Sequence, residues 1–417
     1  MEGVGDAATY ASVSRRRPFW KRLVVSRVAG LKDGELFLRD DDGEVRLGTP
    51  GADGLSIRLT IHRDRLWRRV ACGGLLAATD AYVDGDWDAD DLTALSRLFS
   101  RNIDQVTSLD SGLGRLIRPA AALRYAFSRN NRRGARRNIS AHYDLGNDFF
   151  ELMLDPTMTY SCGVFDRPDA SLEEASLAKI DRLCRKLALR PSDHLFEIGS
   201  GWGAFAIHAA RRYGCRVTTT TISEQQHALA TRRVADAGVA DRVTVLLSDY
   251  RDLGGRYSKL VSVEMIEAVG AKYFDDFFRA CASLLEPDGL MAIQAITVAD
   301  QRFDAARRAP DFIKHFIFPG SCIPSIAALL GAASRVSDLR MVDLEDFSAH
   351  YARTLALWRE NLERHHEAVA RLTTDRFRRL WHFYLSYCEG GFLERHTGLV
   401  QMVMARPAWR GAIERGA

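Results

Sequence analysis

The chain has 417 residues, of which 47% are hydrophobic and 27% are charged. This balance is typical of soluble globular proteins and excludes collagen-like, disulfide-scaffold and wholly disordered classes. The length favours two domains, and no stretch approaches the roughly 18 uncharged apolar residues that a membrane-spanning helix requires. The N-terminus has no apolar run behind a positive start, so no secretory signal is expected.

The basic residues are mostly Arg, which accounts for 51 of 58, and the net charge is +4. Arg residues cluster around Trp20 and again across residues 124–137. Guanidinium groups suit phosphate oxygens, so an anionic partner is plausible, either phospholipid headgroups or nucleic acid. A compositional bias toward Arg with a solvated linker explains the clusters equally well. The seven Cys are scattered without zinc-binding spacing, and no metal site is predicted.

The N-terminal part contains short alternating segments with turn residues between them. Three such segments are predicted strands: 34–38, 45–47 and 55–61. The sequence Asp40–Gly43 is a hairpin-like turn, a helix is expected at 64–71, and a second helix can be capped by Asp90. We predict a small mixed α/β domain over residues 1–125, followed by a basic linker at 126–140.

The larger domain, residues 141–417, alternates strands with helices from about residue 171. The predicted strands are 194–198, 216–221, 243–247, 260–263 and 290–296. The predicted helices between them are 204–213, 224–238 and 272–285. This alternation predicts a fold of the α/β class, a doubly wound and mostly parallel sheet, beside the smaller N-terminal domain.

The strongest chemical signal is the sequence GSGWG at 199–203, which follows the first of these strands. Gly199, Gly201 and Gly203 allow a tight turn and a close approach of a ligand to the backbone. The third Gly comes one residue earlier than in the dinucleotide fingerprint. Glu197 would repel a phosphate but can accept hydrogen bonds from an ammonium group, which favours S-adenosylmethionine. A purely structural Gly-rich turn is the alternative.

Two further strand ends contribute to the predicted cofactor site. Asp249 can accept a hydrogen bond from an adenine amino group, and Tyr250 can cover the ring; the alternative is a turn Asp and a core Tyr. The second strand ends without an acidic residue for the ribose hydroxyls, a role that Gln226 or Glu224 can take. The cofactor residues predicted at these strand ends are Thr221, Ile222, Gln226, Asp249 and Tyr250.

Seven segments carry a family resemblance through their order and spacing. They are HYDLGND at 142–148, YSC at 160–162, GSGWG at 199–203, TISEQQ at 221–226, SDYRDL at 248–253, EMIEAVG at 264–270 and FPG at 318–320. Together they resemble the cyclopropane-fatty-acyl-phospholipid synthase family and the mycolic acid cyclopropane synthases over roughly residues 138–407. The resemblance implies a Rossmann-like methyltransferase that transfers a methylene group from S-adenosylmethionine to a cis double bond of a phospholipid acyl chain.

The resemblance also implies how the reaction is completed. Methyl transfer leaves a carbocation that must be kept from water, and a base then removes a proton. By analogy the base is a bound bicarbonate, which Glu267, Tyr351 and the loop that carries Cys162 would hold. The resemblance also implies that Tyr160 and Ser161 belong to the cofactor site. Glu267 suits this role only in a protonated form or with a shared proton. The structural alternatives are a small buried Cys, a helix cap and a core Tyr.

One position departs from the family pattern. Many members carry His where this sequence has Gln294, which can hold an anion but cannot titrate near neutral pH. The resemblance implies a cyclopropane as the product. Because Gln294 departs from the pattern, the alternative is a methylene- or methyl-branched chain formed after a hydride shift. Cys388 aligns with a Cys common in the family and is a candidate catalytic residue, although packing is favoured because no covalent step is needed.

The expected partners are unsaturated phospholipid acyl chains at an anionic membrane surface. The segment 312–319 can wall an acyl tunnel with Lys314 and His315 facing headgroup phosphates, or it can be a plain amphipathic helix. We expect a cytoplasmic protein that is peripherally associated with the inner face of the cell membrane, since each Lys or Arg near the surface contributes about 1 kcal/mol. A homodimer is among the expected assemblies.

Two functions of other classes are less favoured by the sequence. A nucleic-acid methyltransferase predicts a base-flipping pocket and an Asn/Asp-Pro-Pro-Tyr motif, but the fourth strand leads into residues 264–267 without one. No nucleic-acid partner is therefore expected. A non-catalytic lipid-binding protein has no reason to retain the intact glycine turn together with Glu267 and Tyr351.

Overall fold

A computed structural model describes residues 19–110, 146–309 and 311–413. The chain divides into two compact units, Met1–Ala120 and Ala121–Ala417, and each is described by itself. The predicted basic linker at 126–140 lies outside the described residues, as do the N-terminal Arg residues 15–17 and the first four residues of the 142–148 segment. The predicted boundaries of the two domains therefore stay predictions.

The N-terminal unit is a small mixed α/β structure. Its elements are α1 (Phe19–Val28), β1 (Gly34–Asp40), β2 (Gly43–Thr49), β3 (Ser56–Ile61), α2 (Arg65–Val83), β4 (Trp87–Ala89), α3 (Leu92–Arg101) and α4 (Ile103–Val106). The sheet order is β2-β1-β3-β4, with an antiparallel β1–β2 hairpin and a parallel β1–β3 pair. The three predicted strands are confirmed.

Two helix boundaries in this unit differ from the prediction. Helix α2 continues well past residue 71, to Val83, although Gly74 has a non-helical φ of 64° and ψ of −149° that kinks it. Helix α3 is capped by Asp91 rather than Asp90, since the Asp91 carboxylate accepts a hydrogen bond from the Ala94 N–H at 2.9 Å. Both differences concern the ends of elements, where local signals compete.

The larger unit is built on a seven-stranded sheet. Its elements are α5 (Asn147–Met153), α6 (Leu172–Lys186), β5 (His194–Ile198), α7 (Ala204–Tyr213), β6 (Arg216–Thr221), α8 (Glu224–Asp236), β7 (Val243–Leu247), β8 (Tyr257–Val263), α9 (Phe274–Leu284), β9 (Leu285–Val298), α10 (Asp300–Ala306), α11 (Ile326–Val336), β10 (Arg340–Asp346), α12 (Ser348–Arg364), α13 (His366–Leu372), α14 (Asp375–Leu393) and β11 (Thr397–Ala405). Strands β5 to β9 are parallel. The predicted α/β class and the five predicted strands are confirmed.

The sheet order, β10-β11-β9-β8-β5-β6-β7, determines which loops are neighbours. Two antiparallel strands that the sequence analysis missed, β10 and β11, extend the sheet beyond β9. In the parallel part, Ile198 pairs with Ser262, and Val263 pairs with Gln294. The glycine turn after β5 and the loop after β8 therefore leave the same edge of the sheet side by side, where ligands bind in open α/β sheets.

Helices cover the sheet and add an aromatic core of their own. Residues of α5, α12 and α14 form one buried cluster that includes Phe150, Trp358 and Trp381, and Trp202 from the glycine turn joins it. In the described parts of the chain, every helix is too short or too polar to cross a bilayer.

Candidate active site

The glycine turn between β5 and α7 encloses open space. Gly199, Gly201 and Gly203 have φ values of 94°, 48° and 90°, a region that favours glycine. The turn is anchored because the N–H groups of Gly199 and Ser200 both donate to the carbonyl of Thr220, at 3.0 and 2.9 Å. A Cβ atom built on Gly201 would meet no described atom within 4 Å. The turn therefore leaves room for a ligand at its second glycine.

Glu197, two residues before the turn, places a buried carboxyl group beside it. The side chain is buried, and its Oε2 atom has no hydrogen-bond partner among the described residues. Burial raises the pKa of Glu197 to about 8, while the Thr219 hydroxyl and the Lys179 ammonium oppose the rise. A buried acceptor without a partner is costly, and a ligand ammonium would satisfy it. The residues present therefore fit the aminoacyl end of S-adenosylmethionine.

The neighbouring strand ends hold the other predicted cofactor residues. The Thr221 hydroxyl donates to Gln226 Oε1 at 2.8 Å, which fixes the amide beside Ile222. At the end of β7, Asp249 is paired with Arg251, whose Nε and Nη2 donate to its carboxylate at 2.9 and 2.6 Å. Tyr250 packs edge-on against a core phenylalanine, with 5.7 Å between ring centroids. The adenine and ribose assignments of these residues stay predictions.

The loop between α5 and α6 contributes Tyr160, Ser161 and Cys162. The Tyr160 hydroxyl lies 3.0 Å from the Tyr384 hydroxyl. Ser161 accepts a hydrogen bond from the Lys179 ammonium at 2.7 Å. Lys179 is only 2% exposed. Burial lowers the pKa of its ammonium, and the nearby carboxyl groups, Glu264 foremost, oppose the fall.

The predicted catalytic residues meet at a glutamate that the sequence analysis did not select. Glu264 Oε1 accepts hydrogen bonds from the Cys162 N–H at 3.0 Å and from Gln294 Nε2 at 2.8 Å. The Tyr351 hydroxyl donates to Glu264 Oε2. Gln401 Nε2 donates to Gln294 Oε1 at 2.9 Å and fixes the orientation of that amide. The structure thus brings Cys162, Gln294 and Tyr351 together, but around Glu264.

Glu267 lies beside this cluster rather than at its centre. Its Oε1 atom accepts a hydrogen bond from the Ile296 N–H at 2.5 Å, and Oε2 has no partner in the described chain. Burial, together with the negative charge of Glu264, raises the pKa of Glu267 to about 8. Glu267 is therefore protonated at neutral pH. A second Glu three residues upstream, at the end of a parallel strand, was the signal that could have identified Glu264.

Cys388 is placed apart from the cluster. It packs on α14 against the aromatic core, and burial raises the pKa of its thiol. A thiol of this kind is protonated and unreactive at neutral pH. In the described part of the chain no hydrogen bond joins Cys388 to Glu264, and a packing role explains its position.

Aromatic rings surround the cluster. Tyr351 stacks on Phe392 with 4.4 Å between centroids, and Tyr160 packs against Trp358 at 5.1 Å. Ring faces carry partial negative charge and attract cations, and closely packed rings exclude water. The arrangement suits a positively charged intermediate formed in an apolar chain.

The segment 312–319 differs from the prediction in one respect. It forms a π-helical turn at Ile313–Ile317, and Phe312 packs against the aromatic side chains of α14 as expected of a tunnel wall or an amphipathic helix. Lys314, however, is buried, and its ammonium pairs with Asp311 at 3.2 Å and donates to the Ala309 carbonyl at 2.9 Å. The prediction that Lys314 faces headgroup phosphates is wrong because local acceptors bind its ammonium.

The raised pKa of Glu267 predicts a pH-dependent stability. Between its usual pKa and about 8, this carboxyl is protonated in the folded protein and ionised in the unfolded chain, so folding weakens as the pH rises through that range. Each tenfold change in proton affinity is worth roughly 1.4 kcal/mol. We expect the stability of Glu267→Gln relative to the wild type to increase by about 4 kcal/mol between pH 5 and pH 9. Urea unfolding at both pH values measures the difference.

The exposed Glu173 provides the control. Glu173→Gln should follow the wild-type pH dependence. A stability difference between Glu267→Gln and the wild type that is the same at pH 5 and at pH 9 would show that the pKa of Glu267 is not raised in the folded protein.

The chain is similar to known proteins over most of its length. The family described as mycolic acid cyclopropane synthetase matches residues 130–402. The chain is 39% identical to the tuberculostearic acid methyltransferase UfaA1 of Mycobacterium tuberculosis, over 86% of this chain and 85% of that protein. It is 33% identical to the cyclopropane-fatty-acyl-phospholipid synthase of Escherichia coli, over 83% of this chain and 87% of that protein. The solved structure of mycolic acid cyclopropane synthase CmaA1, complexed with SAH and CTAB, has a TM-score of 0.61 and 32% identity, and covers 65% of this chain and 98% of its own.

Proposed function

Since the chain belongs to the mycolic acid cyclopropane synthetase family of S-adenosylmethionine-dependent methyltransferases, we propose that it alkylates the cis double bond of an unsaturated acyl chain in a phospholipid. The observation that carries this proposal is the position of Glu264 and its aromatic surroundings beside the open glycine turn. An alkene is a weak nucleophile, so its alkylation needs close positioning and a dry site. Glu264 supplies a carboxylate, and the ring of Tyr351, which stacks on Phe392, lies next to it.

Different residues of the chain would bind different parts of the cofactor. When bound, S-adenosylmethionine supplies an electrophilic methyl group. The turn at 199–203 and Glu197 would hold its aminoacyl end, because they combine open space with an unpartnered acceptor. Gln226 lies in the first turn of α8, and Asp249 follows the end of β7. From these positions they can bind the ribose and the adenine.

Deprotonation of the alkylated chain decides the product. Loss of a proton from the transferred methyl group closes a cyclopropane while the cation is on the neighbouring carbon. After a hydride shift onto that carbon, loss of the same proton leaves a methylene branch. We favour the branch, because Gln294 replaces the His expected from the family resemblance and the relative at 39% identity is named a methyltransferase. The cyclopropane is the second candidate, supported by the similarity to the Escherichia coli synthase.

The proposed substrate is a phospholipid at an anionic membrane surface. The name of the Escherichia coli relative supports a phospholipid, and the excess of Arg supports peripheral attachment to the inner face of the cell membrane. Attachment of this kind needs no membrane-spanning helix, because Lys and Arg near the surface bind anionic lipids.

Mass spectrometry of lipids tests the function directly. The chain is expressed in a host that contains unsaturated phospholipids and no cyclopropane fatty acids. We expect acyl chains that gain one CH2 unit and retain a double bond that reacts with alkene reagents. A gain of one CH2 with loss of alkene reactivity and cyclopropane proton signals would identify the ring as the product. Unchanged acyl masses would contradict the proposed function.

A further inference from the structure

The carboxylate of Glu264 fills the place that an exogenous anion would need. The three groups that converge on it are the Cys162 N–H, the Gln294 amide and the Tyr351 hydroxyl. Two of these, Cys162 and Tyr351, are the groups that the family resemblance assigned to a bound bicarbonate. Since their hydrogen bonds end on Glu264, a bicarbonate ion has no vacant set of donors there. A second anion would also lie against Glu264 and be repelled. The residues present do not fit bicarbonate.

The backbone conformation of Glu264 holds its carboxylate among these three donors. Glu264 has a φ of 48°, a left-handed conformation that is unfavourable for a residue with a side chain. Its N–H donates to the Gln294 carbonyl at 2.8 Å, which holds the loop to β9. Strained residues of this kind concentrate at functional sites. The strain directs the carboxylate toward Cys162 and Tyr351.

The carboxyl groups of Glu264 and Glu267 differ in the charges and hydrogen-bond donors around them. Burial raises the pKa of Glu264, and its three donors together with Lys179 oppose that rise. Backbone N–H groups, including that of Ile296, donate to the Glu267 carboxyl, and Glu264 repels it. When two carboxyl groups are adjacent, the one with more donors ionises first. Glu264 is thus the anion of the pair, and Glu267 is its protonated neighbour.

One acceptor position on Glu264 is left for a proton. A carboxylate offers about four lone-pair directions, and the described donors use three of them: two on Oε1 and one on Oε2. The remaining lone-pair direction is on Oε2, the oxygen that accepts from Tyr351. Tyr351 in turn stacks on Phe392, so the carboxylate lies next to aromatic rings.

We propose that Glu264 is the catalytic base of this chain and replaces bicarbonate; the proposal rests on the proposed function. A C–H bond of the transferred methyl group breaks, and its electron pair forms either the second ring bond or the C=C bond of a methylene branch. The proton passes to a Glu264 carboxylate oxygen and leaves to solvent after product release. Atoms and charge balance without an external base.

Substitution of Glu264 and removal of bicarbonate test the proposal together. Wild-type turnover should be unchanged in CO2-free buffer. Glu264→Gln should lower turnover by roughly 10²–10⁴-fold, the usual contribution of a general base. Glu264→Gly should be similarly impaired, but it leaves the three donors without an acceptor. Added bicarbonate or formate should therefore restore turnover of Glu264→Gly at least about 10-fold while leaving Glu264→Gln unaffected.

A binding measurement provides a readout that does not depend on activity. ¹³C-labelled bicarbonate, followed by NMR, should bind to Glu264→Gly and not to the wild type. Ala188→Gly is the matched control, because Ala188 has nearly the same φ, 49°, in the loop between α6 and β5. Ala188→Gly relieves a similar backbone strain, and like the wild type it should not bind bicarbonate. S-adenosylhomocysteine affinity reports whether each variant is folded.

The outcomes separate this inference from the proposed function. A wild type that binds bicarbonate, or that loses turnover without it, would overturn the role of Glu264 while leaving the lipid product intact. Full turnover of Glu264→Gln would also overturn it. Absence of any lipid product from the wild type would contradict the proposed function, and the bicarbonate binding measurement would still decide what occupies the site.

Discussion

The substitution Gly201→Val is expected to weaken S-adenosylhomocysteine binding by at least about 100-fold, or roughly 2.7 kcal/mol. Gly201 has a φ of 48°, and a Cβ built there would enter space that no described atom occupies. The valine side chain would fill the volume that the ligand needs. A β-branched residue also resists a positive φ, so the turn itself would shift away from the geometry that Thr220 stabilises. Isothermal titration calorimetry measures the affinity.

Gly238 offers a matched control for this change. It has a φ of 68°, also has open space at its Cβ position, and is exposed beyond the end of α8. Gly238→Val should therefore bear a similar backbone cost and bind the ligand as the wild type does. Equal affinities of Gly201→Val and Gly238→Val would show that the glycine turn does not hold the cofactor.

The substitution Lys179→Met is expected to destabilise the protein by about 1–3 kcal/mol at neutral pH, the usual cost of leaving a buried polar group without its hydrogen-bond partner. Lys179 is 2% exposed and donates to Ser161 at 2.7 Å. Its positive charge acts on Glu264, Glu197 and Asp155. Methionine fits a similar volume but supplies no charge. The free energy of unfolding in urea measures the loss.

The pH dependence of the Lys179→Met effect distinguishes lost charge from lost packing. Without Lys179, the carboxyl groups of Glu264 and Glu197 would take up protons more readily, so part of the loss is recovered at low pH. We therefore expect a larger destabilisation at pH 9 than at pH 6. Lys272→Met, at an exposed position, should have little effect. A pH-independent loss in Lys179→Met would indicate that packing alone is responsible.

Local sequence patterns predicted much of the larger unit. The glycine turn, strands β5 to β9 and the helices between them follow from periodicity and turn residues, which depend on neighbours in the chain. Strand β11 was missed because its run LVQMVMA is buried on both faces. It therefore lacks the alternation that marks a half-buried strand, and such runs cannot be told from buried helix by pattern alone.

The sequence by itself determined the α/β class, the cofactor turn and the set of polar residues available at the sheet edge. Only the tertiary structure decided which of two glutamates meets Cys162 and Tyr351. Glu264 is separated from these residues by 102 and 87 positions. Its direction depends on one left-handed backbone angle and on where α12 packs. The side-chain charge of Lys179 was likewise visible in the sequence, but its burial was not, because burial results from the packing of distant segments.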